Sequence, residues 1–194
     1  MEDNLDLERI EASAFKAYFE DGMFDIFFGL MFIISGIRNL TDEPIVTLFI
    51  LAAVLVPVIG KRALTYPRLG QVKFGERRVR GQLRLMVAIV VAVLITAAIV
   101  AITQFSDVLE GRLLADLAFG AMFIVVTAMM GRYFEYPFLV VHGIIFAIIA
   151  VVYGQYGDEA GVIASLVGGS ISVTIGLVNM ATFLRRYPRL TMEA

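Results

Sequence analysis

The chain has 194 residues, 59% of them hydrophobic, and a mean hydropathy of +0.84, well beyond the roughly half apolar content of soluble globular domains. With no cysteine and a single histidine, His142, the composition excludes disulfides, thiolate chemistry and a multi-histidine metal centre within one chain. The formal net charge of -2 is small, and its distribution along the chain is what informs the topology.

These features predict an all-α polytopic membrane helix bundle forming one membrane domain, 1–194. The acidic start MEDNLDLERIE lacks the basic n-region and small-residue cleavage site of a secretory signal, so the first span is expected to serve as its own insertion signal. Leu7, Ile10, Ala14, Phe15 and Tyr18 recur at helical spacing. The period predicts an amphipathic interfacial helix over 5–19, with Phe15, Tyr18 and Phe19 at the membrane surface. Six apolar segments follow, at about 22–40, 44–65, 83–105, 113–130, 137–153 and 161–184, each near the ~20 residues that cross a bilayer as a helix. Pro57 is expected to kink the second and Tyr66-Pro67 to stop it. The third is the most uniformly aliphatic, and is expected to be the most lipid-exposed.

Between the second and third spans, 66–82 reads as a basic cytoplasmic loop. Placing both termini inside puts fourteen of the sixteen Lys and Arg residues on the cytoplasmic side, which is the orientation that the positive-inside rule selects. A multi-pass inner-membrane protein is therefore expected. Arg68, Lys73, Arg77, Arg78, Arg80 and Arg189 are candidates for contact with anionic lipid headgroups, worth about 1 kcal/mol per basic residue near the surface. The loop is short and tethered, which argues against nucleic acid.

Two units resemble one another. YFEDGMFDIFFGLMFIISG (18–36) overlays YFEYPFLVVHGIIFAIIA (133–150), and KRALTYPRLG (61–70) overlays TFLRRYPRL (182–190). Both units start and end on the same side, so the repeat would be parallel, unlike the inverted repeats of many transporters. The pairing of FEDGMFDIFFGL with LTYPRLGQVKF resembles a set of small uncharacterised prokaryotic integral membrane proteins with a DGxxDIFFG first span and a YPRxGxVKF loop. That resemblance covers roughly the first third of the chain and implies no activity.

Small residues mark two helix-packing faces: Gly22, Gly29 and Gly36 in the first span, and Ser165, Gly169, Ser172 and Gly176 in the sixth. In lipid, such residues let backbones approach closely. The polar residues Asp25, His142 and Asn179 each fall within about 5–9 Å of the cytoplasmic boundary at ~1.5 Å per residue. Intramembrane ionisable groups mark ion or proton pathways by default, so these three form the candidate ion, proton or polar site, with Tyr18 and Ser172 adding hydrogen bonds. Three structural readings compete. Asp21 and Asp25 lie at a helix N-terminus that favours negative charge, Asp25 can pair with Arg68, Arg185 or Arg189, and His142 can be a satisfied bundle residue. Glu20 and Asp21 read as boundary residues without a special role, and Asp116 reads as the partner of Arg112 four residues earlier.

No phosphate loop, dinucleotide fingerprint, HExxH or GxSxG motif is present, so neither enzymatic activity nor a bound cofactor or metal is indicated. Passage of an ion, proton or small solute, in an expected homo-oligomer, is one functional expectation. The other is a non-transporting scaffold or accessory subunit that binds partner helices and anionic lipid.

Overall fold

A computed structural model describes residues 13–41, 43–70, 76–104 and 109–189, with side chains at 47, 76–80, 103–104 and 109–112 excepted. Every regular element among them is helical. In chain order these are α1 (13–19), α2 (Met23–Thr41), α3 (Thr47–Gly60), α4 (Tyr66–Leu69), α5 (Glu76–Gln104), α6 (Leu109–Tyr133) and α7 (Leu139–Arg186). Five segments are long and apolar enough to cross a membrane: Ser13–Thr41, Pro44–Leu69, Gly81–Ile102, Leu113–Tyr133 and Leu139–Arg186.

The last of these is 48 residues long and folds back on itself. Gly157 interrupts it with φ 82° and ψ −174°, a backbone conformation open to glycine and costly for residues with a Cβ. As a result His142 and Ser172, thirty residues apart, are hydrogen-bonded at 3.1 Å, where a straight helix would separate them by about 45 Å at ~1.5 Å per residue. The two arms of α7 and the whole of α2 form the centre of the bundle.

Contact between α2 and the second arm of α7 is backbone against backbone. A Cβ on Gly29 would stand 2.7 Å from the Gly169 carbonyl oxygen, and a Cβ on Gly169 would stand 2.7 Å from that of Gly29. The same faces meet again where Gly36 lies against Ser165, and where Gly176 lies against Gly22. On the other side, α6 covers the first arm of α7 through Gly120 against Ala147 and Gly143 against Thr127. α3 flanks α2, α5 packs on α6, and α5 is the least buried of the five apolar segments.

Several boundaries differ from those expected. The second span does not stop at Tyr66-Pro67. α3 widens into a π-helical turn over Lys61–Thr65 and continues as α4, ending at Gly70 with φ 76°. The wide turn precedes Pro67, where the regular ladder must lose the N–H that proline lacks. Glu76–Gln104 is one helix, so the segment read as a loop over 66–82 is helical at both ends. Residue 73 and the side chains of Arg77, Arg78 and Arg80 lie outside what is described, as do residues 5–12 of the expected surface helix.

The part of that helix that is described, α1, does not hold its aromatic face against lipid. Phe15 and Phe19 are buried with Tyr136 and Leu139. Phe19 stacks on Phe134 with centroids 4.1 Å apart, and Phe15 meets Tyr133 edge-on at 5.9 Å. An apolar helical face specifies an apolar neighbour, and here that neighbour is the 133–136 turn.

Candidate functional site

Asp25 lies in the first turn of α2, on the face that carries the glycines, and is completely buried at 0% exposure. Its Oδ1 accepts from His142 Nε2 at 2.6 Å. Its Oδ2 accepts from the Tyr136 hydroxyl at 2.7 Å and from Asn179 Nδ2 at 2.9 Å. Asn179 Nδ2 also lies 2.7 Å from the Tyr136 oxygen, to which it donates, so the three groups form a closed triangle. His142, the other member of the pair, is held at both nitrogens, with Nδ1 3.1 Å from Ser172 Oγ, and its ring is stacked at 5.3 Å on Phe28.

The structure thus brings Asp25, His142 and Asn179 into one site, together with Ser172 from the packing face. Tyr18 is elsewhere, bonded hydroxyl to hydroxyl with Tyr66 at 3.3 Å. Arg68 is not opposite Asp25; one of its guanidinium nitrogens donates to the Leu64 carbonyl at 2.8 Å. No guanidinium or ammonium contacts the Asp25 carboxylate among the described residues. Three hydrogens converge on it instead. That polarity suits a carboxylate, whose oxygens only accept, and it is the wrong polarity for a metal ion, which requires converging lone pairs. Among the described residues, no three His, Asp or Glu side chains gather to hold a metal.

Tyr136 is the member of this site that sequence reading does not single out. It lies in the turn before α7, and burial pushes its hydroxyl above its ordinary range, an effect reinforced by the charge and hydrogen bond of Asp25 and by the charge of Glu20. The hydroxyl therefore stays protonated and remains a donor. The overlay YFED/YFEY contained the signal, since Tyr136 stands where the first unit has Asp21.

That Asp21 heads a second buried network beside the first, also unforeseen. Its Oδ2 accepts from Lys61 Nζ at 2.8 Å and from the Thr65 hydroxyl at 2.7 Å, while its Oδ1 caps the Met23 amide at 3.1 Å. Lys61 also donates to the Tyr18 carbonyl and sits 3.9 Å from the Tyr18 ring centroid. With Lys61 only 5% exposed, this pair clamps the α1–α2 turn to the π-helical turn. A lysine inside the bounds of an apolar span needs an acid, and that was the available signal.

A cleft of about 210 Å³ is lined by Tyr136 and Asn179 of the first network, with Glu20 and Arg186 among its other lining residues. On the far side of His142, the rings of Phe28, Phe32, Phe146 and Phe123 follow one another, the last two stacked at 3.6 Å. At the opposite end of the bundle Asn39 donates to the Tyr153 hydroxyl at 3.0 Å. Asp116 is near that end too, accepting from Gln155 at 3.2 Å in a groove of about 380 Å³ between α5 and α6; the side chain of Arg112, its expected partner, is outside what is described.

Compared with protein-family models, with curated proteins and with solved structures, the chain matches none. The functional reading therefore rests on the site.

Proposed function

We propose that the protein handles protons in the cytoplasmic membrane, taking them up at Asp25 and His142 from the cytoplasmic side as part of a transport or channel activity. In this reading α2, α3, α5, α6 and the two arms of α7 are six spans. The basic end, with Lys61, Arg62, Arg132, Arg185, Arg186 and Arg189, faces the cytoplasm in keeping with the positive-inside rule. The two hairpin units are a parallel repeat, and the basic helix ends touch anionic headgroups.

The observation that carries the reading is the buried Asp25–His142 pair with a cleft ending on its own hydrogen-bond partners. His142 can gain or lose a proton without any heavy atom moving. When neutral, its Nε2–H donates to Asp25 and the Ser172 hydroxyl donates to Nδ1; when charged, Nδ1–H donates to Ser172 Oγ, whose hydrogen rotates away. Tyr136 and Asn179 join this pair to the cleft, and in this reading the phenylalanine rings beyond His142 close the path. Access from one side only is the arrangement expected of a carrier in its inward-facing state. The convergence of donors on Asp25 leaves no set of lone pairs for an alkali or divalent cation, whereas His142 Nδ1, opposite a hydroxyl that can donate or accept, has a place for a proton.

A second reading, the scaffold, is favoured by one feature. An apolar groove of about 450 Å³ between α2 and α3, lined by residues such as Leu30, Ile34, Phe49 and Val56, suits an acyl chain or a partner helix. The deciding experiment is proton flux in proteoliposomes carrying an internal pH dye. Flux above that of protein-free liposomes, lost in Asp25→Asn, supports the proton reading. Absence of any flux in either direction of the gradient returns the scaffold.

A further inference from the structure

The overlay of the two units sets Asp21 on Tyr136, Lys61 on Thr182, Thr65 on Arg186 and Tyr66 on Tyr187. In the first unit, Asp21, Lys61 and Thr65 make the buried network, with the ammonium between the Asp21 carboxylate at 2.8 Å and the Tyr18 ring at 3.9 Å. Their counterparts Tyr136, Thr182 and Arg186 all line the 210 Å³ cleft. Where the first unit fills a space with its own lysine, the second has a threonine too short to do so, and a cleft.

The chemistry of the walls is specific. Two pairs of rings face the space, Tyr136 with Phe138 at 6.0 Å and Phe183 with Tyr187 at 5.0 Å. Aromatic faces attract ammonium groups, as the rings around Lys61 do. Glu20 adds a carboxylate at the wall. Its contact with Lys16, at 3.6 Å between half-exposed side chains, is of the weak surface kind. Arg186 adds a guanidinium, the group best shaped to grip a carboxylate or phosphate with paired hydrogen bonds.

We propose that this cleft binds a small zwitterion, with an ammonium group held by Glu20 and the aromatic rings and an oxyanion a few bonds away held by Arg186. At about 30 Å³ per water, a space of 210 Å³ suits a molecule of about seven to ten non-hydrogen atoms. A free amino-acid-like or phosphoamine solute fits that description, and so does the headgroup of an amino phospholipid. The site shares Tyr136 and Asn179 with the proton reading. It is tested by binding at fixed pH with no gradient, so that either idea fails without the other.

The test is calorimetric titration of the full-length protein in phosphatidylglycerol nanodiscs with O-phosphoethanolamine, ethanolamine and inorganic phosphate. The zwitterion is expected to bind at least about tenfold more tightly than either half. Arg186→Gln should cost about tenfold or more. Thr182→Lys, which puts the ammonium of the first unit into the cleft, should abolish binding with no loss of melting temperature. If Thr182→Lys does not fold, Glu20→Gln provides the second reading, weakening the zwitterion and sparing phosphate. Repeating the titration in phosphatidylethanolamine nanodiscs identifies the source: competition assigns the occupant to a lipid headgroup, and unchanged affinity assigns it to a free solute, either of which upholds the site. No binding in phosphatidylglycerol, phosphate binding as tightly as the zwitterion, or unchanged binding by folded Thr182→Lys would overturn it.

Discussion

Asp25 and His142 are 117 residues apart in the chain, and their side chains meet at 2.6 Å with both fully shielded from the surface. Neither α2 nor the first arm of α7 could tolerate its polar group alone, because an unpaired polar group in an apolar surround is expensive. The two helices are in this sense specified for one another. Replacing Asp25 with Asn keeps the shape but turns an acceptor oxygen into a second NH2 donor facing the donors on Tyr136, Asn179 or His142. Asp25→Asn should therefore lower stability by about 1–3 kcal/mol and reduce proton flux to the level of empty liposomes. His142→Gln should do the same to flux. Wild-type flux from folded Asp25→Asn would refute a proton role for this carboxylate.

The second buried pair makes a sharper energetic statement. Lys61→Met leaves the Asp21 carboxylate buried without its cation, and removing one partner of a buried pair costs about 3–5 kcal/mol. Asp21→Leu should cost a similar amount by stranding the ammonium, and it also removes the cap on Met23. The double variant should be more stable than either single one, since replacing both charges with apolar groups is often neutral. Chemical denaturation in mixed micelles reads all three. Additive losses in the double variant would mean that Asp21 and Lys61 act independently.

Much of this architecture was legible because a bilayer imposes a length and an apolar composition on each span, and both are local properties of sequence. Depth along a helix is also local, which is why Asp25, His142 and Asn179 group together whichever helices touch. Other features depend on long-range packing. Phe15 and Phe19 form an apolar face whose medium, lipid or protein, the periodicity does not state. Tyr136 lies in a turn at an interface, where a tyrosine is expected anyway. Lys61 counts as one more positive-inside charge until a π-helical turn carries its ammonium to Asp21, and no propensity announces that turn. The fold-back at Gly157, by contrast, falls where two acids interrupt the apolar run.

The α2–α7 contact predicts a strong dependence on side-chain size. With the Gly29 and Gly169 backbones already at van der Waals distance, a valine at either position must separate the helices, and the separation would also stretch the bonds from Asp25 to His142 and Asn179. Overpacking of this kind costs about 1–3 kcal/mol. Gly29→Val should thus lower the melting temperature and diminish flux together. At Gly70, by contrast, an added Cβ meets nothing within 4 Å, but φ 76° with ψ 179° is open essentially to glycine alone; Gly70→Ala should cost about 1–3 kcal/mol through backbone strain without separating the helices. A stable, active Gly29→Val would show that the two backbones are not in contact.

Tyr136 supplies a test with a definite sign in pH. Burial, together with the Asp25 charge, raises its pKa above the ordinary value of 10.0, so the folded protein keeps the hydroxyl proton under conditions where the unfolded chain releases it. Linkage then requires that the stabilisation from this group be fully present below about pH 10. It is lost as pH rises above that value, at up to about 1.4 kcal/mol per pH unit. Other tyrosines and lysines also titrate there, so the informative quantity is the difference between wild type and Tyr136→Phe. The variant should be less stable at neutral pH, by about 1.5–3 kcal/mol for a lost hydrogen bond to a charged group, and the gap should narrow as the solution is made alkaline. Denaturant midpoints measured from about pH 8 to 11 follow this directly. A gap that stays constant across the range would mean that the Tyr136 hydroxyl is not held protonated by its burial against Asp25.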